Sequence, residues 1–334
     1  MASDKILGLD IGVKNIKIAL LKNGKKPEID EAVMLSTPLG AIADGEIANM
    51  DAVAAVIKKA VSQNKLNARK LAISINSLHT VTREIRLPVL KESEILPAVE
   101  FELLQSFPGI SQTHYLSFKT YETTKDGIRG IVSCCPIKVV DKYTELGGEI
   151  GIPLKYIDVS SNSVSKAFYT FSAEVDPKAT ALIVDIGHEL SSVSVVMGGR
   201  LVLSRSIGCG GSVIDGMVAE RYGKMNNAAE ADKLKRYPGY NFSNEDMNLL
   251  LRTGYAAVEE QIRQTLNFYD SSKYKEPITR IILIGGGSHF PGLEYYYSDM
   301  FRMPVSIVKP LFKNFSLLDL SMYMTAVGAA LRED

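Results

Sequence analysis

The chain has 334 residues, of which 46% are hydrophobic, enough to bury sizeable cores and to form two or more folding units. Thirty-eight basic residues balance thirty-eight acidic ones, so no global field draws the protein to nucleic acid or an anionic membrane surface. The start, Met1-Ala-Ser-Asp-Lys5, lacks the apolar stretch of a secretory leader, and no apolar run approaches a bilayer span, so a cytoplasmic protein without direct membrane insertion is expected. Cys134, Cys135 and Cys209 fit neither a disulfide framework nor metal-ligand spacing and are read as buried, reduced fillers.

In chain order, Lys5 to Gly12 reads as a strand entering a tight turn. Ile16 to Leu21 returns from it, and Asn23-Gly24 turns again. Asp51 opens a helix with Val53, Val56, Ile57 and Ala60 on one face, and Leu71 to Ile75 is the next strand. From Arg83 the character changes. An extended Arg83–Pro88 leads to a helix over Lys91–Phe107, then to strands near Tyr115–Tyr121 and Gly130–Cys135, then to a helix over Ile137–Ile150 that Gly151 closes. This α+β block reads as an insertion. A helix over Asn162–Ala173 precedes the joint at Asp176-Pro177.

Thr180-Ala-Leu-Ile-Val-Asp185-Ile-Gly187 then repeats the opening at an offset of 175 residues, and Asn23-Gly24 falls on Gly198-Gly199 without a gap. Next come Gly208-Cys-Gly-Gly211 before a helix over Ser212–Tyr222, a helical stretch over Asn227–Lys235 and one long helix over Glu245–Tyr269. The apolar strand Ile281–Ile284 feeds Gly285-Gly-Gly287, and a short helix over Tyr323–Leu331 ends the pattern.

Two Asp-x-Gly turns from equivalent halves can face each other across a cleft. There Gly12 and Gly187 let backbone N–H groups approach phosphate, while Asp10 and Asp185 hold Mg2+ through water. Lys17, level with the first turn, reaches the β- and γ-phosphates. Lys14, at the turn tip beside Val13, reads on its own as a solvated lysine. Gly286, Gly287 and Ser288 let an adenosine or phosphate group approach backbone, with a flexible turn the plainer reading. Neither a Rossmann glycine fingerprint nor a phosphate-loop lysine is present. His79, His114, His188 and His289 show no ligand spacing.

Taken together, Leu9-Asp-Ile-Gly-Val-Lys-Asn-Ile-Lys17, Arg86-Leu-Pro88, Gly210-Gly211, Ala231-Asp-Lys-Leu-Lys235, Ile284 to Leu293 and Ala326 to Arg332 resemble the PilM family. Its members are cytoplasmic, FtsA-like components of type IV pilus assembly within the actin/heat-shock ATPase superfamily. The resemblance implies an α/β actin-like fold of two ribonuclease H-like halves. Residues 1–83 with 155–178 form the first half and 84–154 an inserted α+β subdomain. Residues 179–209 with 263–334 form the second half, and 210–262 its outer subdomain.

The resemblance also implies bound ATP and Mg2+. Val13, Lys14, Gly210 and Gly211 meet ribose and phosphates, Asp232 and Lys235 contact adenosine, and Gly286, Gly287 and Ser288 close the purine pocket. Gly328 packs the last helix near the hinge. Asn162 falls where actin has its water-orienting glutamine, so any hydrolysis is expected to be slow. His188 stands where actin has an acid, and Asp232 where a glutamate is commoner.

The implied partner is the N-terminal cytoplasmic peptide of a PilN-like inner-membrane protein, held in a groove walled by Ile85, Leu87, Val89, Leu96, Val99 and Leu103, most of which are assigned to core packing. That partner brings the protein to the inner face of the cytoplasmic membrane, where pilus motor ATPases and further copies of the chain can join it. The lipid-binding tail of FtsA is not expected after Gly328. The alternatives are an FtsA-like filament-forming scaffold and a small-molecule kinase of the same superfold.

Overall fold

A computed structural model describes residues 5–43, 45–222, 245–271, 276–311 and 320–332. The chain opens with β1 (Lys5–Ile11), β2 (Asn15–Lys22), β3 (Glu28–Ser36), the small pair β4 (Ile42–Ala43) and β5 (Glu46–Ile47), α1 (Met50–Gln63) and β6 (Lys70–Ile75). There follow β7 (Val81–Leu87), α2 (Glu92–Leu104), α3 (Ile110–Thr113), β8 (His114–Thr124), β9 (Gly127–Pro136), α4 (Ile137–Ile150), β10 (Leu154–Val159) and α5 (Ser160–Phe171). The second part runs β11 (Thr180–Ile186), β12 (Ser191–Met197), β13 (Arg200–Ile207), α6 (Gly211–Tyr222), α7 (Glu245–Gly254) and α8 (Ala256–Ser271). It ends with β14 (Ile278–Ile284), α9 (Leu293–Phe301), β15 (Val305–Ile307) and α10 (Leu320–Ala330).

The repeat read in the sequence is a repeat of topology. One sheet runs β10-β6-β1-β2-β3, and the second begins β15-β14-β11-β12-β13, with antiparallel hairpins and parallel neighbours at the same places. Strands β1 and β11 are apolar at almost every position because both their faces are covered, a pattern that an alternating half-exposed strand would not show. Between the sheets lies a core made by α5 and α10. Phe168 and Phe171 of α5 meet Met324 and Val327 of α10, with Ile6 and Ala19 from one sheet and Ile183 and Ile282 from the other. Each half also has an outer core, covered by α1 and α4 on the first and by α6, α7, α8 and α9 on the second.

The second sheet continues past β13 through β7, β9 and β8, giving eight strands. The join is short: Leu203 pairs with Arg83 and Ser204 with Thr82. Tyr121 of β8 adds a hydroxyl donated to the Leu201 carbonyl at 3.0 Å. Under this extension α2 packs its own small core, in which Ile85, Leu87, Val99 and Leu103 are buried against Ile128 and Val132.

The expected single helix over Glu245–Tyr269 is two helices, α7 and α8, interrupted at Tyr255. Ile214 of α6 packs so closely on Gly254 that a side chain there would collide with it, and Tyr255 is turned inward to donate its hydroxyl to the Gly287 carbonyl at 3.2 Å. Helix α2 ends at Leu104, short of the expected Phe107. The three cysteines are free and buried as expected, and burial pushes the Cys134 thiol up to about 12. No helix among the described residues is long and apolar enough to cross a membrane.

Candidate functional site

The two Asp-Ile-Gly turns close in the same way. The Gly12 N–H donates to the Asn15 carbonyl and the Gly187 N–H to the Leu190 carbonyl, both at 3.1 Å. Asp10 pairs in register with Lys17 across its hairpin, and Asp185 with Ser192 across the other. Strand ends β1, β6, β11 and β14 therefore bring both turns, Asn76 and the Gly285 turn to one cleft. Asp10, Gly12, Val13, Lys14, Lys17, Asp185, Gly187, Gly211, Gly286 and Gly287 line it, all expected from the sequence.

Within the cleft, Lys17 Nζ donates to Asp10 Oδ2 at 2.9 Å, and both side chains are largely buried. Burial alone would depress the Lys17 ammonium, but the carboxylates of Asp10 and Asp185 outweigh it and raise its pKa. Asp185 has the opposite problem. Burial, aggravated by the charge of Asp10, pushes its carboxyl up to about 6 despite the attraction of Lys17. A carboxylate held so uncomfortably is suited to receive a divalent cation, whose charge restores the ionised form.

Gly285 shows how tightly this floor is built. Its φ is +81°, and a methyl group there would strike the Asp185 carboxylate and the Ile186 carbonyl. Gly285→Ala is therefore expected to displace Asp185 and lower stability by about 2 kcal/mol, read by thermal melting.

Three expected site residues sit elsewhere. Asn162 does not line the cleft: its side-chain amide donates to the Asp158 carboxylate at 2.8 and 3.1 Å, and Lys166 holds the same carboxylate at 2.8 Å. Ser160, one half-turn earlier on α5, lines the cleft instead. Gly210 lies beneath the second turn, where a side chain would meet the His188 and Gly187 carbonyls, and Ser288 is buried with its hydroxyl donated to the Gly285 carbonyl at 2.6 Å. Asp232 and Lys235 lie outside the described residues.

Sequence reasoning missed Asn15 and Glu189, which sit in the two turns themselves, and Asn76, Ser321 and Thr325, which come to the cleft through tertiary packing. His289 Nε2 lies 2.7 Å from Ser321 Oγ at the start of α10, fixing that helix end beside the glycine turn.

This arrangement suits a polyphosphate and a metal ion. Backbone turns can approach phosphate oxygens, lysines can neutralise them, and two carboxylates face the same space. Among the described residues no three histidine, cysteine or carboxylate side chains form a metal cage, so Mg2+ would share its ligands among phosphate oxygens, water and Asp10 and Asp185.

Residues 8–334 match the family described as type IV pilus assembly protein PilM. The chain is similar to the solved structure titled PilM-PilN type IV pilus biogenesis complex, at 20% identity over 97% of each chain with a TM-score of 0.82. It also resembles ethanolamine utilization protein EutJ from Carboxydothermus hydrogenoformans, at 13% identity over 99% of this chain and 90% of that one, TM-score 0.58. A third likeness is to MreB5 of Spiroplasma citri bound to ADP, at 15% identity over 97% and 94%, TM-score 0.53. At these identities the solved structures establish the shared actin-like fold.

Proposed function

The chain belongs to the type IV pilus assembly protein PilM family, and from that membership we propose that it is an ATP-binding scaffold of pilus assembly that binds the N-terminal cytoplasmic segment of a PilN-like membrane protein. The observation that carries the nucleotide half of this reading is the pair of matched turns, with Asp10 and Asp185 lining one cleft. Asp10 and Asp185 would hold Mg2+, and Gly12, Val13, Lys14, Lys17, Gly187 and Gly211 the phosphates. Bound Mg2+ supplies charge neutralisation between the phosphates and the two carboxylates. The turns orient the nucleotide, and closure of the halves excludes water. We assign slow turnover at most, because the amide of Asn162 is engaged by Asp158 and does not reach the cleft.

We assign residues 84–154 as the partner-facing subdomain. We assign residues 1–83 with 155–178 and 179–209 with 263–334 to the two halves, and 210–262 to the outer subdomain of the second. Among the proposed groove residues, Ile85, Leu87, Val99 and Leu103 are core and support the wall from behind. Val89 and Leu96 are 60% and 48% exposed and are the ones able to touch a peptide. Through such a partner the protein would be recruited to the inner face of the cytoplasmic membrane, near pilus motor ATPases.

A fluorescent peptide copying the first residues of a PilN-like partner tests this. The wild-type protein should bind it, and Val89→Glu with Leu96→Glu should weaken binding at least about tenfold while leaving the melting temperature within about 2 °C. Undiminished binding by the double variant would remove this surface from the interface.

A further inference from the structure

Three cleft-lining side chains carry or can carry positive charge: Lys14, Lys17 and His188. Lys17 is engaged by Asp10. The other two come from opposite halves, Lys14 from the first turn and His188 from the second, and both face one carboxylate on a third element. Asp215 of α6 is only 4% exposed, and its Oδ2 lies 3.9 Å from Lys14 Nζ and 3.7 Å from His188 Nδ1. The start of α6 is already tied to the second turn, because the N–H groups of Gly211 and Ser212 donate to the carbonyls of Gly187 and His188 at 2.9 and 2.8 Å. Asp215 adds the first turn to that attachment.

A buried carboxylate attracts nearby cations more strongly than a solvated one does. Both separations exceed hydrogen-bond length, so the attraction of Asp215 for Lys14 is ionic, and His188 shares in it when its imidazole is protonated. A triphosphate entering between the turns would present more negative charge, in geometry that lysine and imidazole N–H groups can follow. We propose that Asp215 is a positioning residue that competes with the triphosphate for Lys14 and His188, so that nucleotide binding draws both away and loosens α6 from the first half. This rests on the reading of the cleft as an ATP site. It gives α6 a response to phosphate that the glycine contacts alone would not supply.

The test is Mg2+–ATP titration of the full chain and of Asp215→Asn, with hydrogen exchange followed over residues 211–222. Removing the competing charge should tighten ATP binding about threefold or more, and this gain should vanish when Lys14→Met is also present, since the two groups then act as a coupled pair. ATP should speed exchange in α6 of the wild type but not of Asp215→Asn. Lys14→Met alone, which leaves the buried carboxylate in place, should speed that exchange without nucleotide, so the proposal stays testable if Asp215→Asn does not fold. Wild-type ATP binding with unchanged or weaker binding by folded Asp215→Asn, or a gain that survives Lys14→Met, would overturn the competition while leaving the ATP site standing. No ATP binding by the wild type would overturn both.

Discussion

Asp185→Asn should make the protein more stable without nucleotide at pH 8 and at the same time weaken Mg2+–ATP binding at least about tenfold. The carboxyl of Asp185 has been pushed from 3.8 to about 6, so the folded protein holds its proton more tightly than the unfolded chain does. Stability from this group is fully present below the unfolded value and is lost as pH rises through the folded one. The shift corresponds to about 3 kcal/mol at neutral pH, reduced to about 1–2 because the cleft admits solvent and screens the charge. An asparagine does not ionise and escapes that loss. Its advantage should be a few degrees in melting temperature at pH 8 and should shrink toward zero near pH 4. Asp10→Ala should match the loss of ATP affinity. Unchanged affinity in both variants would refute the cleft assignment, and a stability gap independent of pH would refute the account of the carboxyl.

Gly328→Ala is the small substitution expected to damage the fold most. Helices α5 and α10 fill the space between the sheets and are in contact with each other, and a methyl group at Gly328 would overlap the Ser163 carbonyl. Neither backbone can yield without parting the helices and opening voids around Phe168 and Val327. We expect a loss of about 3 kcal/mol or more in denaturant unfolding. Gly148→Ala in α4 is the control: nothing lies within 4 Å of the added methyl, so helix propensity should dominate and stability should rise by about 0.5–1 kcal/mol. Equal effects at the two glycines would show that the close crossing of α5 and α10 is not limiting.

The matched hairpins were legible because every feature that makes them is local: an apolar strand, an Asp-x-Gly turn, a return strand and a second turn at a fixed distance. The second turns differ in detail: Gly198 and Gly199, with φ of +55° and +81°, make a two-residue turn between Met197 and Arg200, whereas Asn23-Gly24 opens a longer loop between Lys22 and Glu28. Strand β3 was missed because it is a partly exposed strand at a sheet edge carrying Glu28, Asp30 and Glu31, without a clean alternation. Strand β15 was missed because it is only three residues long, and β10, as long as β6, because it takes its identity from a neighbour far along the chain. Asn162 was assigned by position on a helix, but Asp158, on β10 just before that helix begins, lies within reach and that local acid holds the amide. Asp215 carried no signal at all, since its partners lie in turns about 27 and 200 residues away that only folding brings together.

The block between β7 and α4 has a foot on each side of the molecule. Its strands are stitched to the second sheet through Arg83, Thr82 and Tyr121, while α4, from the same stretch of chain, puts Tyr143 and Leu146 into the outer core of the first half. If the halves swing, this bridge must tilt, or part at the seam that two paired residues and the Tyr121 hydroxyl help to hold. A nucleotide that set the angle between the halves would thereby also set the attitude of Val89 and Leu96, much as the opening of a pair of callipers moves a pointer fixed across both arms.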